Sequence, residues 1–127
     1  MSTVSEVSGG EFQRRVLQAE RPVVVDFYAD WCAPCRLMAP VIEQLAFELD
    51  GVIEFVKVDV DSEQEIAAAY RISSIPAFVR FEEGQPVAWS VGARPGRALS
   101  RQLGLPSPEG AAAPRSRFRL FARRRTT

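Results

Sequence analysis

Two runs of the chain are apolar on both faces, "VVVDFYA" at residues 23–29 and "VIEFVKVDV" at residues 52–60. Strands covered on both sides lose the alternation of half-buried ones, so both predict the interior of a sheet. Between them the period changes to 3.6. Leu37, Met38, Val41, Leu45 and Leu49 fall on one side of a helix that starts near Pro34, contains Pro40 and ends near Gly51. Two strands joined by one helix predict a parallel crossover. Before this unit, "VSEV" at residues 4–7 alternates as a short half-buried strand. Ser8 and Glu11 then form a capping-box pattern opening a helix with Phe12, Val16 and Leu17, which Pro22 ends. After it, Ser62 and Glu65 repeat the capping pattern ahead of "QEIAAAY". "AFVRF", a turn at "EEGQP" and "VAWSVG" predict a hairpin. Pro95, placed in a first helical turn, opens a last helix that stops at Gly104. The order is βαβαβαββα: an α/β fold with a central mixed sheet flanked by helices on both faces.

Composition agrees with one such domain plus an extension. Of 127 residues, 46% are hydrophobic and 25% charged, and a core of this size gives a domain of about 105 residues a stability of roughly 5–15 kcal/mol. The first residues, "MSTVSEVSGG", lack the basic start and apolar run of a secretory signal, and no stretch approaches the roughly 20 apolar residues of a membrane span. The expected compartment is the cytoplasm, where permanent disulfides are rare. The net charge of zero divides unevenly, with residues 1–105 at −5 and residues 106–127 at +5. Composition shifts at the same point, through "PSPEGAAAP" into "RSRFRLFARRR". The expected organisation is a mildly acidic domain, 1–105, and a Pro/Ala linker with a basic tail, 106–127.

The chemistry concentrates in "DWCAPCRLM", which holds both cysteines of the chain, Cys32 and Cys35. A closed zinc site draws four ligands from Cys and His. With no histidine, two carboxylates or a second subunit would have to complete it, so no metal is assigned. A structural staple closing so short a loop is worth about 2 kcal/mol before strain, of little use to a domain with a full core. Redox exchange fits the position. The pair lies where a buried strand gives way to a helix, the edge of an α/β sheet that favours reactive sites. Free N–H groups and the helix dipole there stabilise a thiolate, and the short loop lets the second sulfur resolve a mixed disulfide.

"VVVDFYADWCAPCRLMAP", "KVDVD", "YRISSIPAFVRFEEGQPV" and "VGA", in this order and spacing, resemble the thioredoxin family over about residues 4–105. The resemblance implies a three-layer sandwich around a mixed sheet and a protein-disulfide reductase. Such a protein binds no cofactor, acts on disulfide-containing target proteins as a monomer, and is recharged by a thioredoxin reductase using NADPH. It makes Cys32 the attacking thiolate and Cys35 the buried resolving thiol. Trp31 would shield the pair and pack beside a target, and Pro34 would hold the helix start beside Ala33. Pro76 matches the family's cis-proline, leaving the Ile75 backbone free to pair with an extended substrate, and Gly92 and Ala93 would line the same groove.

Asp26 is the one charge in its strand and Lys57 the one cation in "FVKVDV". Desolvation raises a carboxyl's pKa and an opposing lysine lowers it; the pair is either a buried ion pair or a proton acceptor poised near neutrality. The resemblance favours the second, with Asp26 taking the Cys35 proton through water. Some positions depart from the family pattern. Ala33 stands where glycine is usual, Tyr28 where tryptophan is frequent, Arg36 where lysine is, and Ala77 where threonine is common. None removes a reacting group. The competing readings are a disulfide-forming or isomerising relative, which often carries histidine between its cysteines, and a binding module whose redox pair regulates docking.

The tail lies outside the resemblance. Phe118, Leu120 and Phe121 alternate with six arginines in residues 106–127, a pattern for either a solvated extension or a weak tether to an anionic membrane or acidic partner. No folded reading surface accompanies these charges, so specific nucleic-acid binding is not expected.

Overall fold

The computed structural model describes residues 4–107. Five strands form one sheet in the order β1-β3-β2-β4-β5. They are β1 (Ser5–Glu6), β2 (Val23–Tyr28), β3 (Glu54–Asp59), β4 (Ala77–Glu82) and β5 (Gln85–Val91). β1 and β2 each run parallel to β3, while β2–β4 and β4–β5 are antiparallel. The predicted crossover and hairpin are therefore both present, and the architecture is the mixed, helix-flanked sheet expected.

Alternation along β2 divides the core. Val24 faces one layer with Phe78 of β4, against Met38, Ile42, Leu45 and Leu49 of the long helix and Leu99 and Leu103 of the last one. Val23, Val25 and Phe27 face the other layer, against Phe12, Val16, Ile66 and Tyr70. There Phe12, Tyr70 and Phe81 meet with ring centroids 5.1–5.9 Å apart, Phe81 edge-on to both partners, an arrangement the ring quadrupoles favour. Asp26 falls on the Val24 side of β2, facing the long helix rather than the aromatic cluster.

The helices show what local signals do and do not decide. In α1 (Gly9–Phe12) the capping box forms, with the Ser8 N–H donating to Glu11 Oε1 at 3.0 Å. The helix then widens into a π-helical turn, Gln13–Leu17, closed by Gln18 N–H donating to the Gln13 carbonyl at 2.8 Å. α2 spans Ala33–Glu48, with Pro40 inside it. Its buried face is Met38, Ile42, Leu45 and Ala46, followed by Leu49 just past its end. Leu37, expected on that face, is instead 71% exposed. It stands about 100° from Met38 around the helix, off the arc that Met38, Ile42 and Leu45 bury.

In α3 (Gln64–Ala69) the predicted Ser62–Glu65 box does not form. The Glu63 N–H donates to the Asp59 carbonyl at 2.9 Å, so the chain turns one residue later, Glu63 becomes the N-cap and Ile66 takes the box's closing position. α4 (Gly96–Leu103) likewise starts after Pro95, which is its extended N-cap instead of a first-turn residue. Gly104 ends it as expected, at φ 67°. Its N–H donates to Arg101 and that of Leu105 to Ser100, the left-handed cap that satisfies the last carbonyls. The hairpin turn is tighter than "EEGQP". Only Glu83 and Gly84, both at positive φ, separate the strands, so Gln85 and Pro86 belong to β5. Among the described residues no helix is long and apolar enough to cross a membrane.

Candidate active site

β2 ends at Tyr28, and Ala29–Trp31 carry the chain to Cys32, the N-cap of α2. The Cys32 N–H donates to the Ala29 carbonyl at 3.1 Å, and Arg36 reaches back to the Asp30 carbonyl at 2.7 Å, which fixes this short loop from both sides. Cys32 and Cys35 are joined in a disulfide with Cα atoms 5.2 Å apart. Cys32 Sγ also accepts the Cys35 backbone N–H at 3.2 Å. A sulfur at an N-cap thus takes a place usually filled by Ser or Asp oxygen, where a free N–H and the helix dipole favour negative charge. Pro34 sits in the first turn, where its missing N–H leaves no bond unmade.

Both cysteines are nearly enclosed, at 4% and 7% exposure, by Ala29 and the partly buried Tyr28, Val60 and Ile75. Trp31 is 67% exposed, yet its ring is held, because Nε1 donates to Asp61 Oδ2 at 2.8 Å. The backbone of Asp61 is in turn fixed by Asp59 Oδ1 at 2.9 Å. Asp61 was not singled out by sequence. Its only signal there was a second acid at the end of "KVDVD".

Across from the cysteine loop, the Ile75–Pro76 bond is cis, as the resemblance implied. Ile75 packs against the cysteine cluster, and the Pro76 carbonyl accepts the Gly92 N–H at 2.8 Å. This places the 75–76 and 92–93 segments side by side, with Ala93 exposed. The Arg94 N–H donates to Met38 Sδ at 3.4 Å, tying that second segment to α2; sequence gave no sign of this contact.

Asp26 is buried, and its Oδ1 has no hydrogen-bond partner. Burial pushes its pKa up to about 7, opposed by the positive charge of Lys57. Lys57 stands opposite Asp26 in the parallel register of β2 and β3, with its ammonium 5.2 Å from the centre of the Tyr28 ring. Among the described residues the two do not form an ion pair; the salt bridges there are Arg21–Glu54 and Arg80–Glu82. Asp26, Lys57, Tyr28, Arg36 and Cys35 line one cavity of about 210 Å³. The predicted residues therefore gather as two groups, the disulfide with its flanking loops and the acid beneath it, and Cys35 belongs to both.

A C-x-x-C disulfide at the N-terminus of a helix, next to a cis-proline at a sheet end, defines a thiol–disulfide oxidoreductase. The family model described as Thioredoxin matches residues 3–104. Thioredoxin C-2 of Corynebacterium nephridii is 46% identical over 99 residues, covering 78% of this chain and 92% of that protein. Thioredoxin 1 of a Nostoc species is 43% identical over 103 residues, 81% of this chain and 96% of its own. The bifunctional thioredoxin reductase/thioredoxin of Mycobacterium leprae is 43% identical over 98 residues, 77% of this chain and 21% of that longer protein. The chain belongs to the thioredoxin family, and its Cys32–Cys35 pair is the redox-active centre of a disulfide reductase.

Proposed function

We propose that the two cysteines divide the work, Cys32 attacking and Cys35 resolving. In the reduced protein the Cys32 thiolate attacks one sulfur of a target disulfide, forming a mixed disulfide and releasing one target thiolate. Asp26 then accepts the Cys35 proton through water in the shared cavity, where Asp26 and Lys57 offer polar partners and the volume admits several molecules. The Cys35 thiolate attacks Cys32 Sγ and displaces the second target thiolate. Two electrons pass to the target, and the chain is left as the Cys32–Cys35 disulfide. Lys57 keeps the acceptor's pKa from rising further, near the pH at which proton transfer is most effective. Trp31, Ala33, Pro34, Ile75, Pro76, Gly92 and Ala93 form the surface on which the target lies.

The asymmetry of the two sulfurs carries this reading: Cys32 Sγ receives the helix N–H, whereas Cys35 lines the cavity of the unpartnered acid. Electrons return from NADPH through a thioredoxin reductase, a pairing supported by the relative whose name joins both activities. The protein acts as a cytoplasmic monomer without a bound cofactor. Residues 1–105 are the redox domain, and 106–127, outside the described residues apart from Pro106 and Ser107, are a Pro/Ala linker and a basic tail. Single mutants test the division of roles. Cys35→Ser accumulates a mixed disulfide with oxidised target protein on non-reducing gels, while Cys32→Ser traps almost none. Equal trapping by the two would sink the assignment.

A further inference from the structure

β5 is apolar on its outer side. Ala88 packs on the core beneath α4, and Ser90, on the same side, bonds Gln102 of that helix. The alternate residues Val87, Trp89 and Val91 remain 47%, 45% and 46% exposed and belong to neither core layer. β5 is also the last strand of the sheet. The Gly92 N–H bonds to the Pro76 carbonyl, so in the antiparallel alternation residues 92, 90 and 88 turn their backbone groups toward β4, and residues 91 and 89 turn theirs outward. Edge strands are ordinarily blunted by charges, prolines or bulges. Here the blunting is confined to the turn end, where Pro86 and the irregularity between Arg80 and Phe81 lie. The end next to the redox site has no such guard.

That end continues directly into the site, since Val91 leads to Gly92, Gly92 bonds Pro76, and Ile75 packs on the cysteines. We propose that Trp89 and Val91 form a docking edge for an extended, uncharged, apolar segment of the target protein flanking its disulfide. The segment adds to β5 through the outward backbone groups and covers the Trp89 ring. Trp89 lies two residues from Val91, about 7 Å along the strand, so three or four target residues beyond the groove suffice to reach it. β5 itself carries no charge, which excludes segments that need a salt bridge. The inference rests on the disulfide-reductase reading above and adds to it a determinant of which targets are preferred.

The full chain is assayed with insulin as protein disulfide and oxidised glutathione as small disulfide, in wild type, Trp89→Thr and Trp89→Phe. Trp89→Thr raises KM for insulin about five- to tenfold, as expected for loss of one aromatic anchor, with kcat and the glutathione rate unchanged. Trp89→Phe restores most of the affinity. Unchanged insulin kinetics in Trp89→Thr overturn the docking edge and leave the reductase reading intact, and so does equal loss on both substrates, which reports a general defect. A wild type inactive on both substrates overturns the reductase reading, and this inference with it. Sedimentation showing a wild-type dimer that Trp89→Thr abolishes assigns the edge to a second copy and also overturns target docking.

Discussion

Replacing Asp26 by asparagine exchanges a buried acid for a neutral group of nearly the same shape, and the structure fixes how stability must respond to pH. Asp26 has its pKa raised from 3.8 to about 7, mainly by burial. Below pH 3.8 the carboxyl is protonated in both folded and unfolded chains and is indifferent to folding. Between that value and about 7 the unfolded chain releases the proton while the folded one keeps it, so stability falls as pH rises. Above about 7 both states are ionised and the loss is complete. At about 1.36 kcal/mol per pH unit, the displacement from 3.8 to about 7 amounts to about 4 kcal/mol. Asparagine escapes this cost, but Lys57 loses the charge opposite it, and the expected gain at pH 8.5 is about 2–4 kcal/mol. At pH 4 the difference nearly vanishes, since a neutral amide then replaces a neutral acid.

Urea unfolding of the oxidised protein at both pH values measures this. With a urea dependence of about 1–3 kcal/mol/M, the variant's midpoint should move up by roughly 1–2 M at pH 8.5 and little at pH 4. A difference that is the same at both pH values, or a less stable variant at pH 8.5, would refute the buried, unpartnered carboxylate as its source. The same substitution separates structure from chemistry. In single-turnover experiments the release of target from Cys32 should slow more than the first attack, and a pH dependence centred near 7 should disappear from that step.

Glycines give a backbone comparison. Gly84, at φ 80°, would place an added Cβ 2.9 Å from the Leu17 carbonyl oxygen, whereas Gly51, at φ 84°, faces open space. Gly51→Ala should therefore cost about 1 kcal/mol from conformation alone, and Gly84→Ala clearly more, read as the two shifts in melting temperature. For the tail, pelleting with anionic liposomes should require residues 106–127 and weaken as salt rises, since each arginine near such a surface contributes about 1 kcal/mol. A chain ending at Leu105 should stay in solution and reduce insulin normally; equal pelleting of both chains rules the tether out.

What the sequence made legible was whatever a short stretch decides by itself. Runs apolar on both faces became β2 and β3, Ser8 and Glu11 capped a helix, and Gly104 ended one because its left-handed conformation suits glycine. The strand-to-helix junction placed the cysteines. Features that depend on two distant segments were not legible. Leu37 is exposed because the arc of α2 that becomes covered depends on what packs against it, and a segment 56 residues away, at Arg94, reaches Met38 instead. The cis bond at Pro76 came only through the family resemblance, as most bonds before proline are trans, and the Asp61 contact that holds Trp31 spans 30 residues of sequence.

β5 is the sharpest case, because there pattern and structure disagree in sign. Alternation alone would turn Val87, Trp89 and Val91 inward and leave Ala88 and Ser90 to water. The sheet does the reverse, since Ser90 finds Gln102 on α4 while Val87, Trp89 and Val91 stay about half exposed and join neither core cluster. Half-burial of a tryptophan and two valines is a sacrifice of core area that folding does not explain. A face that must remain open until a target arrives does explain it, and the inversion falls on the strand that leads into the redox site.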